Sequence, residues 1–227
     1  MRRPISNKNM FPSEVMELLR SLHKVGFFED SALIGSWVMP LYQDVFGIPY
    51  ALRTLDIDFA VKFATSERGD KIDLENVITT LGYVPVVMLS GIRKFTQENF
   101  TVEFVVQRKG GRDDEAIGIR KWNIIAVPLP FVNILLDFTF IADFGDFQVK
   151  APIPEAYFIQ KMLIAHRRPG ESKRHKDFEQ CSVIAGNVDH VRLEKVLRSL
   201  KLSAKNKKAM RDSCKTIDFP PQLLGLL

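Results

Sequence analysis

The sequence predicts an α+β fold in two parts: a mixed sheet flanked by helices over residues 1–150, followed by a helical subdomain over residues 151–227. Two observations carry this prediction. Segments with the alternation of strands are interspersed with amphipathic helical segments in the first part, whereas every periodic segment after Pro154 has helical spacing. Pro152 and Pro154 interrupt both patterns where the two parts meet, and we place the boundary there.

Apolar residues spaced by three and four predict the helices, and apolar residues that alternate with polar ones predict the strands. In the first part we predict helices over residues 12–24, 37–46 and 71–81, and strands over residues 32–34, 55–61, 83–88, 92–96, 101–107, 123–127 and 147–150. In the second part we predict helices over residues 155–168, 173–185, 191–200 and 204–216. The apolar segment between the last two strands fits either element.

The composition is that of a globular protein. Hydrophobic residues make up 46% of the chain and charged residues 26%, which is enough for a sizeable core. We expect a cytoplasmic protein with no membrane partner, because no secretory signal is visible and no apolar segment is long enough to cross a bilayer. We expect Cys181 and Cys214 to be reduced core thiols, and the four histidines lack the spacing of zinc ligands.

The net charge of +5 is distributed unevenly along the chain. Residues 151–227 contain 15 Lys and Arg against 8 Asp and Glu, whereas the first 150 residues contain 17 basic and 19 acidic residues. A basic helical region behind a nearly neutral first part is typical of a protein with a polyanionic partner, such as a nucleotide or RNA. The alternative is that these charges only solvate the helix surfaces.

Two carboxylates, Asp56 and Asp58, interrupt an apolar strand. Residues two apart in a strand face the same side at a spacing of about 7 Å, so the two acids converge while Leu55, Ile57 and Phe59 pack on the other face. Such like charges repel each other and are costly to bury unless cations offset them. Mg²⁺ or Mn²⁺ accepts carboxylate oxygens, and two such ions support phosphoryl transfer.

Two further features have the chemistry of the same kind of site. The Gly35-Ser36 turn joins a buried strand to a helix, where backbone N–H groups and the serine hydroxyl can bind an anion. Glycine at this position lets a phosphate approach the backbone. Glu103 is the lone carboxylate of the strand over residues 101–107 and is a third acid that can lie beside the first two.

Each feature also has a plainer interpretation. Asp56 and Asp58 fit an edge strand that exposes both carboxylates to water, with Arg53 or Lys62 as a partner. Ser36 fits a helix N-cap that follows a tight turn. The sequence pattern alone leaves these alternatives open.

The combination of motifs resembles the nucleotidyltransferase superfamily of the DNA polymerase β type. The motifs are the G-S turn opening a helix, the run R-T-x-D-x-D-h at residues 53–59, and h-E-h around Glu103. The resemblance implies that Asp56, Asp58 and Glu103 bind the metal ions and that Glu103 can take the proton of the attacking hydroxyl. It also implies that the nucleotide is held by Gly35, Ser36, Arg53 and Thr54.

The helical part resembles bacterial nucleotidyltransferase-like proteins that include the abortive-infection toxin class. Residues 154–168 and 173–180 carry this resemblance, which implies functional roles for Lys161 and Asp177 and the possibility of an antitoxin partner. Lys161 lies on a helix that is apolar on most sides, where an ammonium needs a partner such as a triphosphate or Asp177. Asp177 is the alternative base if Glu103 is structural. Four flanking basic residues are candidates for contact with nucleotide or RNA phosphates: Arg167, Arg168, Lys173 and Lys176.

The resemblance implies that residues 1–150 form the catalytic domain of a Mg²⁺-dependent nucleotidyltransferase. Such an enzyme moves a nucleoside monophosphate from an NTP to a hydroxyl of RNA, tRNA in particular, of a protein or of a small molecule, and releases pyrophosphate. One alternative is a non-catalytic nucleotide- or RNA-binding module with the same fold. Another is a sugar-nucleotide glycosyltransferase or an aspartate-nucleophile phosphatase, although neither requires the G-S turn or the third acid.

Overall fold

The computed structural model describes residues 1–50, 54–63, 71–89, 91–108, 115–168 and 170–226. The strands are β1 (Arg2–Pro4), β2 (Ser31–Ile34), β3 (Asp56–Val61), β4 (Val84–Val87), β5 (Arg93–Gln97), β6 (Phe100–Gln107), β7 (Ile117–Ile119), β8 (Ile124–Leu129), β9 (Thr139–Asp143) and β10 (Gln148–Pro152). The α-helices are α1 (Ser13–Lys24), α2 (Val38–Phe46), α3 (Leu74–Thr79), α4 (Val132–Asp137), α5 (Pro154–Ile164), α6 (Glu171–Ala185), α7 (His190–Arg198) and α8 (Ala204–Thr216). Within these ranges, none of the helices combines the length and hydrophobicity needed to cross a membrane.

The larger sheet is mixed, as predicted, and β3 lies in its interior. Its strand order is β2-β3-β6-β5-β4, with β8 pairing beside β6 and β7 pairing with β8. β3 is antiparallel to β2 and parallel to β6. The alternative of an edge strand at Asp56 and Asp58 is therefore wrong, because β3 has a hydrogen-bonded neighbour on each side.

The smaller sheet was not predicted as a unit. β9 is its central strand, parallel to β1 and antiparallel to β10. β1 is short, exposed and polar, and its partner strand lies at the other end of the first part, so no local pattern indicates it. The ambiguous apolar segment forms α4 and β9, and β7 is a third strand without a clear pattern in the sequence.

The helices of the second part surround α5, whose residues are all buried. α5 contacts α4, α6, α7 and α8, which explains why its sequence is apolar on most sides. The helix predicted over residues 155–168 ends at Ile164 and continues as a 3₁₀ turn over Ala165–Arg167. The boundary at residue 150 falls inside β10, and the division into two parts stays a prediction.

A buried hydrogen bond joins the two halves of this architecture. The hydroxyl of Tyr42, on α2, donates to the backbone oxygen of Pro152 at 2.8 Å, where β10 leads into α5. Tyr83 is also buried, but its hydroxyl has no hydrogen-bond partner among the described residues. These two tyrosines therefore differ in the energy that their hydroxyl groups contribute.

We expect Tyr42→Phe to lower the free energy of unfolding by about 1–2 kcal/mol, because it leaves the Pro152 carbonyl without its donor. The matched control Tyr83→Phe removes a buried hydroxyl that makes no such bond, and should not lower the free energy of unfolding. Urea unfolding followed by circular dichroism measures both. Equal losses in the two variants would contradict this account of the junction.

Candidate active site

Strand register brings the predicted acids to one face of the larger sheet. Asp58 is the register partner of Glu103 in the parallel pair of β3 and β6, and of Ile34 on the other side. Phe59 and Phe104 stack on the opposite face with their ring centroids 5.8 Å apart. Apolar packing behind the sheet therefore fixes the register that places the carboxylates of Asp58 and Glu103 side by side.

Most of the residues singled out in the sequence line one cleft of about 290 Å³, and Arg167 is not among its lining residues. Of the two ends of β3, the one that carries Asp56 and Asp58 opens into this cleft. Leu55 was expected to pack on the apolar face, but it lies before the strand and is 51% exposed. Arg53 lies outside the described residues. The predicted residues that line the cleft are Gly35, Ser36, Thr54, Asp56, Asp58, Glu103, Lys161 and Asp177, together with the flanking Arg168, Lys173 and Lys176.

Gly35 lies directly against Asp58. Its φ is +67°, and a Cβ at this position would be 2.2 Å from Asp58 Oδ2. Both the left-handed backbone and the close carboxylate exclude a side chain here. In this structure the atom that requires glycine at position 35 is therefore a carboxylate oxygen, and the turn and β3 fit together as one surface.

The carboxyl group of Asp58 has an unusually high pKa. Burial, and then repulsion from Glu103, raise its pKa to about 6, although attraction to Lys161 opposes the shift. Glu103 is held by an ion pair with Lys94 on β5 at 2.5 Å. The positive charge nearest to the third acid thus comes from the neighbouring strand, and Asp58 has no such direct partner among the described residues.

Asp56 and Asp58 fit a divalent cation by their chemistry. They present hard oxygen donors on one face, and a bound cation would oppose the burial and the repulsion from Glu103 that raise the pKa of Asp58. Within the described ranges, no group of three acid, histidine or cysteine side chains is arranged to hold a metal ion. Glu103 is engaged by Lys94, so its role as a third metal ligand stays a prediction.

Lys161 and Asp177 form a buried ion pair that spans α5 and α6. Their side chains are 8% and 4% exposed, and Arg168 Nε contacts the second oxygen of Asp177 at 3.0 Å. Burial alone would raise the pKa of Asp177, but attraction to Lys161 and Arg168 outweighs it and lowers this pKa. Of the two partners that the sequence left open for Lys161, the structure therefore provides Asp177.

Lys176, unlike Lys161, has no acidic side chain in direct contact to balance its charge in the described part of the chain. It is half-buried, and in the described part of the chain it makes no hydrogen bond or ion pair. Burial, and then repulsion from Lys161, lower the pKa of its ammonium, while Asp58 and Asp56 attract it from across the cleft. A half-buried ammonium without a direct partner is a candidate to bind an anionic ligand.

Two residues of the site were missed in the sequence. Lys94 faces Glu103 because β5 and β6 form a hairpin in which Phe95 pairs with Val102. The short turn between the two strands indicates this pairing, because the length of a hairpin loop determines which residues face each other. Gln180 bonds to Ser36 from the interior of α6, and its position three residues after Asp177 was a signal that both share one helix face.

Comparisons with known proteins identify a family model and a similar solved structure. A family model described as Nucleotidyltransferase matches residues 13–205 of the chain. Among solved structures, an antigenic nucleotidyltransferase-like protein from Paracoccidioides brasiliensis is similar, with a TM-score of 0.49, 13% identity, and coverage of 99% of this chain and 95% of that one. A search of curated protein sequences found no match. Because the family match spans far more than half of the chain, this protein belongs to the nucleotidyltransferase family.

Proposed function

We propose that the protein is a nucleotidyltransferase that uses Mg²⁺ or Mn²⁺ to move a nucleoside monophosphate from an NTP to a hydroxyl acceptor. The observation that carries this proposal is that the Gly35-Ser36 turn, the acids of β3 and β6, and the basic face of α6 line the same cleft. An acid wall suits divalent cations, and the basic wall opposite suits a triphosphate.

The proposed reaction is a single displacement. The acceptor oxygen forms a bond to the α-phosphorus, the bond from that phosphorus to the bridging oxygen breaks, and pyrophosphate leaves. Asp56 and Asp58 would hold the divalent cations, which when bound offset the charge of the phosphates. The hydroxyl proton passes to Glu103, because both oxygens of the alternative base, Asp177, are engaged by Lys161 and Arg168.

The basic wall has two tasks in this proposal. Lys161, paired with Asp177, holds α5 against α6, and its charge opposes the rise in the pKa of Asp58. Lys176 and the exposed Lys173 are one helical turn apart on α6 and supply the cations for the leaving pyrophosphate. This assigns direct phosphate contact to Lys176 rather than to Lys161, because only Lys161 already has an ionic partner within the described chain.

RNA is the acceptor class that the charge distribution favours. α8 exposes four lysines along its length, and Arg167 Nη2 donates to Asn206 Oδ1 close to the N-terminus of this helix. This contact connects α8 to the segment that carries Arg168 into the cleft. The exposed lysines of α8 are Lys205, Lys207, Lys208 and Lys215.

One observation favours a second candidate, a non-catalytic nucleotide- or RNA-binding module. The Lys94–Glu103 ion pair occupies the third acid, as expected of a site that no longer uses it. Calorimetry with each NTP, with and without Mg²⁺, separates the two candidates, because the binding module needs no metal. A phosphatase or a sugar-nucleotide glycosyltransferase is disfavoured by the family match.

We expect Asp56→Asn and Asp58→Asn to abolish transfer while the fold is retained, because the amide cannot replace the charge that holds the cations. The assay incubates the protein with each α-labelled NTP, Mg²⁺ and total cellular RNA, and follows label into RNA or protein. Asp137→Asn, an exposed acid at the end of α4, is the matched control. Undiminished transfer by the double variant would reject the proposal.

The ionised carboxylate of Asp58 should lower the stability of the fold in the absence of metal. Since the pKa of Asp58 is about 6 in the folded state against 3.8 for an ordinary aspartate, the folded state holds its proton more strongly. Stability from this group is present below about pH 4 and is lost as the pH rises to about 6. At pH 8 we expect Asp58→Asn to have a higher free energy of unfolding than the wild type, by up to about 3 kcal/mol. At pH 4 the two proteins should be about equally stable. A difference independent of pH, measured in EDTA, would contradict this assignment.

Substitutions of Lys161 and Lys176 should affect different properties, stability in the first case and nucleotide binding in the second. We expect Lys161→Met to lower the free energy of unfolding by about 3 kcal/mol, because it leaves buried Asp177 with Arg168 alone. Lys176→Met should leave stability nearly unchanged and raise the KM for NTP about tenfold, since it removes a charge-assisted contact to phosphate. Thermal unfolding and steady-state kinetics measure the two effects, and Lys24→Met, at the exposed end of α1, is the control for loss of a lysine charge. A stable Lys161→Met with a raised KM would reverse the two assignments.

A further inference from the structure

The side chain of Gln180 connects α6 to the Gly35-Ser36 turn. Its Nε2 donates to Ser36 Oγ at 2.8 Å and to the Tyr50 hydroxyl at 3.3 Å, and its Oε1 accepts from the Tyr157 hydroxyl at 2.6 Å. Gln180 has no exposed surface and Tyr157 is 1% exposed. This one amide therefore bonds to three side chains at once, of which Ser36 and Tyr157 line the cleft.

The hydrogen bonds of this amide determine what Ser36 can do. Both protons of Nε2 are used, and the hydroxyl of Tyr157 occupies the carbonyl oxygen of Gln180. Ser36 Oγ is thus an acceptor towards Gln180, and a hydroxyl has only one proton to donate. No group in the described ranges accepts the proton of Ser36, although Ser36 is only 4% exposed and lines the cleft.

We propose that Gln180 is a positioning residue that makes Ser36 a hydrogen-bond donor to a phosphate oxygen of the triphosphate. The inference rests on the proposed function. A phosphate oxygen only accepts hydrogen bonds, so it needs a hydroxyl whose proton is directed at it. Because Gln180 engages a lone pair of Ser36, the proton of the hydroxyl is left for the cleft, and no reorganisation is needed when the anion binds.

A purely structural role for Gln180 is the competing explanation. In that case its loss would weaken the packing of α6 on the turn whether or not Ser36 has a hydroxyl. If Gln180 acts through the Ser36 proton, its loss has no further effect on phosphate binding once that hydroxyl is gone. A double-mutant cycle separates the two explanations.

The cycle uses Gln180→Met, Ser36→Ala and the double variant in the full-length protein. Isothermal titration calorimetry measures the Kd of each variant for inorganic tripolyphosphate in Mg²⁺, and steady-state kinetics measures KM and kcat for the NTP that is turned over. We expect each single variant to bind about tenfold more weakly, and the double variant to lose about tenfold rather than about a hundredfold. The KM should change more than kcat, since the contact is present before and after transfer.

The matched control is Gln97→Met. Gln97, on β5, is a partly buried amide that donates to the backbone oxygen of Leu81 and does not line the cleft, so its loss should leave the Kd unchanged. Circular dichroism checks the fold of every variant. Gln180→Glu replaces Gln180→Met if the latter does not fold, because a carboxylate accepts the proton of Ser36 and should also weaken tripolyphosphate binding.

The outcomes distinguish this inference from the proposed function. Additive losses in the double variant, with transfer intact, would reject the role of Gln180 and leave the transfer reaction standing. Binding with a non-additive cycle but no transfer of any NTP would reject the reaction and support the role of Gln180. A wild-type protein that does not bind tripolyphosphate would reject this inference outright.

Discussion

The parallel pairing of β3 with β6 holds the carboxylates of Asp58 and Glu103 side by side on one face of the sheet. This pairing is stabilised from behind by the stacked rings of Phe59 and Phe104, which cannot move without breaking the core. The repulsion on the front face is therefore the result of apolar packing on the back face. The turn at Gly35 then lies against Asp58 so closely that only glycine fits.

The helical part provides the positive charge that this acid face lacks. Lys161 reaches the cleft from a helix with no exposed residue, and such an ammonium is tolerated because Asp177 neutralises it within the same helical layer. The neutralisation leaves Lys176 as a half-buried cation of the cleft without a direct ionic partner in the described chain. Two lysines on adjacent helices thus have different tasks, one in holding the helices together and one in facing the ligand.

The sequence was sufficient to predict the elements of the site and not their contacts. Alternation located β3 and β6 to within a residue, and the proximity of Asp58 and Glu103 followed from the assumption that these strands are neighbours. The pairing of Lys161 with Asp177 was one of two options, because helical spacing does not reveal which helices pack together. Gln180 shares a helix face with Asp177, but helical spacing does not reveal its partner Ser36, which lies 144 positions earlier. β1 and β9 were missed for the same reason, as their pairing joins distant segments.

The distance along the chain between Ser36 and Gln180 also bears on how the molecule is made. Hairpins such as β4–β5 close over a few residues, whereas contacts between distant segments must first overcome the entropy of a long loop. A nascent chain can therefore fold much of the larger sheet before α6 has left the ribosome. During that interval the turn has no amide to orient its hydroxyl, so a chain that stops before α6 lacks the contact that we propose prepares Ser36 for a phosphate.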